Sequence, residues 1–355
     1  MAYTDIDKPS DYFISHIWSG TSSNHTESIG MQPDFVWVKG RSVATDHTLF
    51  DVVRGFTVGK SLGSNTSAAE DGSNTTAYGG IGGVTSDGFT VTAGSSNADY
   101  VNTSGRTYAS WNWKANGTGS ANTDGSISST VSANTTSGFS IVKYTGNGTA
   151  GATIGHGLGT APDCIIMKEL SNANDWFVYH QATGATNRLK LNSTTASATS
   201  TFLNNTTPTS SVYAVDGGAA GNTNSTNYIA YCFADVQGYS KFGSYLGNSA
   251  DDGTFVYTGF KPALIMVKRT NSTGNWVMHD NRRSLSNGFN VNQYILYSNT
   301  TTDEITDESK VDLLSNGFKF RNALTDQNAN GSTYIYMAFA KQPLVGTNNV
   351  PATAR

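Results

Sequence analysis

The chain has 355 residues, of which 37% are hydrophobic and only 14% charged, with 38 Gly, 17 Tyr, 16 Phe and 6 Trp. It is too apolar and aromatic for disorder, and the abundance of β-branched, aromatic and turn-forming residues excludes a mainly helical protein. A formal net charge of -4 and a pI near 5.8, with no basic run, exclude a nucleic-acid groove, which needs clustered Lys and Arg.

Taken in order, Met1–Ser10 is polar and lacks the basic start and apolar centre of a secretory signal, so synthesis in a cytoplasm is expected. No stretch of about 18 apolar residues is present, so no membrane insertion is expected. Pro33 then opens an apolar run, PDFVWVK, that closes on Lys39. The same arrangement returns at Pro162 (PDCIIMK, closing on Lys168) and at Pro262 (PALIMVK, closing on Lys268). The prolines suit the first residue of a strand, where no ladder donor is needed, and a continuous apolar run reads as a strand covered on both faces.

Further landmarks keep the same register. Fourteen residues past each proline stand His47, Trp176 and Trp276, and eighteen past stand Asp51, His180 and Asp280. An aromatic-x-Gly step precedes each proline (Trp18 to Gly20, Tyr144 to Gly146, Tyr245 to Gly247), and a small polar segment around Asn65, Asn192 and Asn299 follows it. SDGF at 86–89 and SNGF at 315–318 match, where the middle copy has SSVYAV. Each copy closes on an aromatic run: TYASWNWKA (107–115), NYIAYCFAD (227–235) and TYIYMAFAK (333–341).

Six landmarks in register predict an all-β chain of three tandem diverged β-sandwich, jelly-roll-like repeats of about 100 residues. The expected boundaries are residues 1–116, 138–238 and 239–345, with a Gly/Ser/Thr/Asn-rich linker at 117–137 that is extended or weakly stranded, and a flexible tail at 346–355. Both faces of the closing run are apolar, which places it inside a unit or at a contact between units.

Catalytic and cofactor signatures are missing. The six histidines have no metal-binding spacing, DDG at 251–253 is too short for a calcium loop, and no nucleophile elbow or phosphate loop occurs, so neither cofactor, metal nor enzymatic activity is expected. The nearest thing to a constellation is the repeated pairing of Lys39 with Asp51, Lys168 with His180 and Lys268 with Asp280, which reads as an ion pair across neighbouring strands. Trp111, Trp113, Trp176 and Trp276 are the candidate platforms for stacking on a sugar, with core or interface packing as the alternative. Cys164 and Cys232 either stay as buried thiols or pair across one sandwich.

Several stretches carry a resemblance: MAYTDIDKPSDYF (1–13), PDFVWVKGRS (33–42), FSIVKYTGNGTAGATIGHGLGTAPD (139–163), NYIAYCFADVQGYSKFGSYLGN (227–248) and FVYTGFKPALIMVKR (255–269). Together they resemble a family of repeat proteins encoded by marine bacteriophages, labelled tail fibre or virion structural protein. The resemblance implies a location on the virion and partners among other virion proteins. It also implies contact with a host surface glycan or receptor and, by analogy, a homotrimer. No catalytic motif comes with it. A capsid decoration protein (cement or head fibre) is the alternative, and a polysaccharide depolymerase, which needs paired carboxylates in a groove, a third.

Overall fold

The apolar runs after the three prolines are strands buried along their whole apolar length in the computed structural model, which describes residues 3–72, 75–95, 100–283, 291–306, 311–346 and 351. In the first part of the chain lie β1 (Phe13–Ser19), β2 (His25–Ser28), β3 (Phe35–Gly40), β4 (Thr48–Asp51), β5 (Gly80–Thr85), β6 (Gly88–Thr92) and β7 (Thr107–Trp113). The middle holds β8 (Ser120–Asn122), β9 (Ser129–Asn134), β10 (Phe139–Thr145), β11 (Ala152–Gly155), β12 (Cys164–Glu169), β13 (Phe177–His180), β14 (Asn187–Lys190), β15 (Ala198–Thr199), β16 (Val212–Val215) and β17 (Asn227–Phe233). The last part holds β18 (Ser240–Leu246), β19 (Phe255–Tyr257), β20 (Phe260–Arg269), β21 (Trp276–Asp280), β22 (Val291–Asn292), β23 (Leu296–Tyr297), β24 (Val311–Leu314), β25 (Gly317–Phe320) and β26 (Thr333–Pro343). The protein is all-β, as its composition predicts, and the pairs between these strands are antiparallel.

One strand order appears in all three parts. The large sheets run β1-β7-β3-β4, β10-β17-β12-β13 and β18-β26-β20-β21, with the middle sheet extended by β14-β15 on one side and β9-β8 on the other. Register agrees as well: Trp18 lies opposite Tyr108, Tyr144 opposite Tyr228 and Tyr245 opposite Tyr334. Smaller sheets, β2-β6-β5, β11-β16 and β19-β25-β24-β22, lie in the same three parts of the chain, and each part is called a unit below.

The landmark glycines owe their place to close packing. A Cβ on Gly20, Gly146 or Gly247 would meet the carbonyl oxygen of Thr103, Thr223 or Ala329 at 2.1, 2.4 or 2.3 Å, so only glycine lets each loop return against its strand. One expectation is corrected. Pro33 and Pro162 stand two residues before their strands rather than at the first position, and Pro262 lies inside β20 at a bulge, where its missing N–H breaks no ladder bond. Residues 117–137, expected to be extended or weakly stranded, carry β8 and β9; β9 pairs with β10 and β8 with β9. Of the tail at 346–355, only residues 346 and 351 lie among those described.

Each large sheet buries both faces. The outer faces line cores belonging to single units, such as Trp18, Val36, Val38, Phe89, Val91 and Tyr108 in the first. The inner faces of all three meet in one core: Ala109, Trp111 and Trp113 of β7, Ile229, Tyr231 and Phe233 of β17, and Ile335, Met337 and Phe339 of β26. At its centre Trp113, Phe233 and Phe339, which hold the same offset in their strands, form a triangle. Their ring centroids are 6.2, 5.7 and 5.4 Å apart, within the range of favourable aromatic pairing. Fully burying a large apolar side chain contributes roughly 1.5–3 kcal/mol, so this shared core is the main force holding the units together. It contains an apolar void of only about 10 Å³, too small and too apolar to hold water.

Candidate functional site

The lysines that close the apolar runs are buried, and the register puts them far from the acids expected to pair with them. Phe35, not Lys39, lies opposite Asp51; Cys164 lies opposite His180, and Leu264 opposite Asp280. The expected cross-strand pairs of Lys39, Lys168 and Lys268 therefore do not form. Each lysine donates instead to backbone carbonyls, one of them in a neighbouring unit. Lys39 Nζ reaches Gly40 O at 3.0 Å and Thr301 O at 3.1 Å; Lys168 Nζ reaches Glu169 O at 2.8 Å and Ser67 O at 3.3 Å; Lys268 Nζ reaches Gly274 O at 2.8 Å and Thr194 O at 3.0 Å. Burial pushes all three ammonium groups down to a pKa of about 8, while nearby carboxylates (Asp303 for Lys39, Glu169 for Lys168, Asp326 for Lys268) partly offset it.

Those acceptors sit two residues beyond the landmark asparagines. Asn65 Oδ1 accepts from His47 N at 2.9 Å, Asn192 Oδ1 from Trp176 N at 3.0 Å and Asn299 Oδ1 from Trp276 N at 2.8 Å, which shapes each loop as an arm. Two residues before the asparagines the arms offer another carbonyl. Trp176 Nε1 donates to Gly63 O at 2.7 Å, and Trp276 Nε1 to Lys190 O at 2.9 Å. In the first unit His47 holds this position. Its Nδ1 accepts from Trp37 Nε1 at 2.9 Å, which leaves the proton on Nε2 to bond Tyr297 O at 2.9 Å. The contacts run first unit to third, second to first and third to second, and so close a ring.

A second set of joints lies deeper. Trp111 Nε1 donates to Asp280 Oδ2 at 3.0 Å and Tyr231 OH to Asp51 Oδ2 at 2.8 Å, again from the first unit to the third and from the second to the first. His180 completes the set by bonding Tyr336 O at 3.2 Å through Nε2, since its Nδ1 accepts from Ala182 N. Burial pushes His180 and His279 down to about 4. Asp51 pairs with Arg54, and Asp280 with Arg283 at 2.5 Å, all four side chains being at most 1% exposed. Burial alone would raise the Asp280 carboxyl, but Arg283 outweighs it and holds the group below its usual range. Glu70 and Glu304 extend these pairs, and Arg41 of the first unit clasps Glu304 of the third through two bonds of 3.1 and 2.7 Å. These arginines and glutamates escaped the sequence reading. Their signal is the Asp-x-x-Arg spacing at 51–54 and 280–283, which the middle copy replaces with His180 and Thr183.

Trp111, Trp113, Trp176 and Trp276, weighed as sugar platforms, are at most 2% exposed and offer no face to a ligand. Cys164 and Cys232 are free thiols in separate cores on opposite faces of the middle sheet, with their pKa raised by burial. Among the described residues no three His, Cys, Asp or Glu side chains converge as a metal site, and no helix is long and apolar enough to cross a membrane. Chemically, the constellation joins units. Open clefts lie elsewhere: one of about 290 Å³ between the first and third units, and one of about 390 Å³ beside Tyr3 and Tyr257.

No curated protein and no solved structure matches the chain. A family profile does match, over residues 8–343: the chain belongs to the family described as a domain of unknown function, DUF7483.

Proposed function

We propose that the chain is three tandem copies of one two-sheet unit, covering residues 1–116, 138–238 and 239–345, and that it serves as a non-enzymatic virion structural protein. In this reading it belongs to a tail fibre or appendage and contacts the host cell surface. The carrying observation is that the repeated Lys, Asp/His and Trp positions are all engaged in a closed ring of joints. Groups buried this way serve rigidity, while the loops at the outer ends of the sandwiches are left to meet a partner. Many weak contacts made by such loops gain strength when copies are displayed together.

Cryo-EM of intact particles tests the location. Density for this chain on a projecting tail structure supports the proposal, and particles that lack the chain overturn it. A capsid decoration protein is the second reading, favoured by the three-unit ring itself, because one such chain matches a local threefold position on a shell. Density tiled over the head decides for it. The homotrimer expected of an appendage belongs to the same proposal. Light scattering tests it, with a mass of three chains in favour and the single-chain mass of 37.6 kDa against.

A further inference from the structure

The three contacts between units follow one plan, but the contact of the first unit with the third departs from it at four positions, and all four departures meet in one cleft. Its lining includes Ser15, Ala263, Asn281, Arg282 and Lys341, around a volume of about 290 Å³, near the lower limit for a small-ligand site. Ser15 lies opposite Trp111 in the register that places Ile141 opposite Tyr231 and Phe242 opposite Met337. Ile141 and Phe242 fill the shared core there, whereas Ser15 leaves space and a hydroxyl that is buried, with its residue 3% exposed, and bonded to nothing. Ala263 stands where the other units have Asp34 and Asp163, Lys341 where they have Ala115 and Asp235, and Arg282 where they have Val53 and Ala182. Compared with the second unit, two carboxylates are thus absent and two cations added; compared with the first, one carboxylate is absent and the same two cations are added.

Among the described residues no carboxylate pairs with these cations. Asp280, the nearest acid in sequence, is committed to Arg283 and Trp111. Among the described residues neither Arg282 nor Lys341 has a carboxylate within ion-pair reach, and Lys261, paired with Gln342 next to Lys341, has none either. The Lys261 ammonium is lowered by burial and then by the charge of Lys341, as expected for cations crowded without a counter-ion. Arg282 and Lys341 are exposed at the cleft, and two unpaired cations side by side create a local positive potential that favours an anion there.

We infer that this cleft binds a sugar bearing a carboxylate or sulfate. Arg282 and Lys341 meet the anionic group, and the Ser15 hydroxyl and Asn281 amide serve the ring hydroxyls. The choice of a sugar over a free anion rests on the proposed cell-surface role; the preference for an anion does not.

Calorimetric titration of the full chain with trimers of galacturonate, sulfated galactose and neutral galactose tests it. The acidic trimers should bind and the neutral one should not, and which acidic trimer binds tells carboxylate from sulfate. Lys341→Ala and Arg282→Ala should each weaken binding about tenfold, the loss expected for one charge-assisted hydrogen bond. Ser15→Ile, which copies the second unit, should abolish it, and Lys143→Ala, on an equivalent strand away from the cleft, should not alter it. Inorganic sulfate binding as well as the trimers would overturn the sugar assignment. Absence of acidic-sugar binding, or loss of binding in Lys143→Ala alone, would overturn the site. Labelled protein on host cells is read in parallel. Acidic-trimer binding without cell binding sinks the cell-surface role and leaves the site, and the converse sinks the site alone.

Discussion

Replacing Asp280 by Ala strikes the joint where the first and third units meet most deeply. The carboxylate accepts from Arg283 Nε, from Trp111 Nε1 and from the backbone N–H groups of Arg282 and Arg283, all out of water. Its loss strands most of the Arg283 charge, which among the described residues keeps Glu304 and the Met278 carbonyl, and orphans the indole N–H. Uncoupling a buried ion pair from one side costs about 3–5 kcal/mol, of which an orphaned buried donor accounts for about 1–3 kcal/mol. Against a total stability of about 5–15 kcal/mol this is a large fraction. Urea unfolding followed by tryptophan fluorescence should show one transition, because the three sheets share one core, with its midpoint lowered by about 1 M or more. Adding Arg283→Met should recover about 2 kcal/mol, since the stranded charge goes with it. The middle unit, with His180 and Thr183 at these positions, shows that the fold tolerates a joint without the pair. A single-variant cost under about 1 kcal/mol, or strict additivity of the two changes, would refute the reasoning.

Acid should destabilise the fold through two buried histidines, of which His180 lies at a joint. His180 and His279 are neutral when folded, with pKa near 4 against 6.5 unfolded, so the unfolded chain takes up protons first. Stability should be full above pH 6.5 and fall towards pH 4, by up to about 3 kcal/mol per histidine; a flat melting temperature over that range contradicts this. Alkali should act the other way. Lys39, Lys168 and Lys268 lose their protons near pH 8 when folded but near 10.5 unfolded, so stability should rise from pH 8 towards pH 10 by up to about 3 kcal/mol per lysine. Above pH 10 the buried tyrosines, whose pKa is raised, reverse the trend, and Lys168→Met should remove part of the rise in a pH series of urea melts. Finally, Cys164 and Cys232 should not react with a thiol reagent until the chain is unfolded, then react together; rapid labelling of either in the native protein counts against the burial described.

Much of this was legible in the residues. The continuous apolar run from Phe35 announced a strand covered on both faces, and the alternation of Tyr334, Tyr336 and Ala338 with Ile335, Met337 and Phe339 announced a strand between two cores. The partners of the lysines were not legible, because a backbone carbonyl carries no side-chain signature and any residue at position 67, 194 or 301 supplies one. Pairing Lys39 with Asp51 failed for a geometric reason: they lie at opposite ends of one hairpin, and Asp51 finds its cation one turn further on, at Arg54. The landmark asparagines were visible as spacing, but their work of shaping arms appeared only with the loops in place. Nor does a sequence show a cleft made by what is missing, which is how Ser15 and Ala263 act.

The closed ring also bears on how such a protein can change over time. In an assembly of three identical chains every substitution falls on all three contacts at once, so a polar residue introduced at the centre strikes the structure three times. Joining the units in one chain, as proposed, frees each contact to vary alone. The contact of the second unit with the third can drop its arginine, and that of the first with the third can exchange a core isoleucine for serine, while the others continue to hold the centre shut. A covalent link between units thus turns a symmetric scaffold into one on which a single seam can acquire a new task.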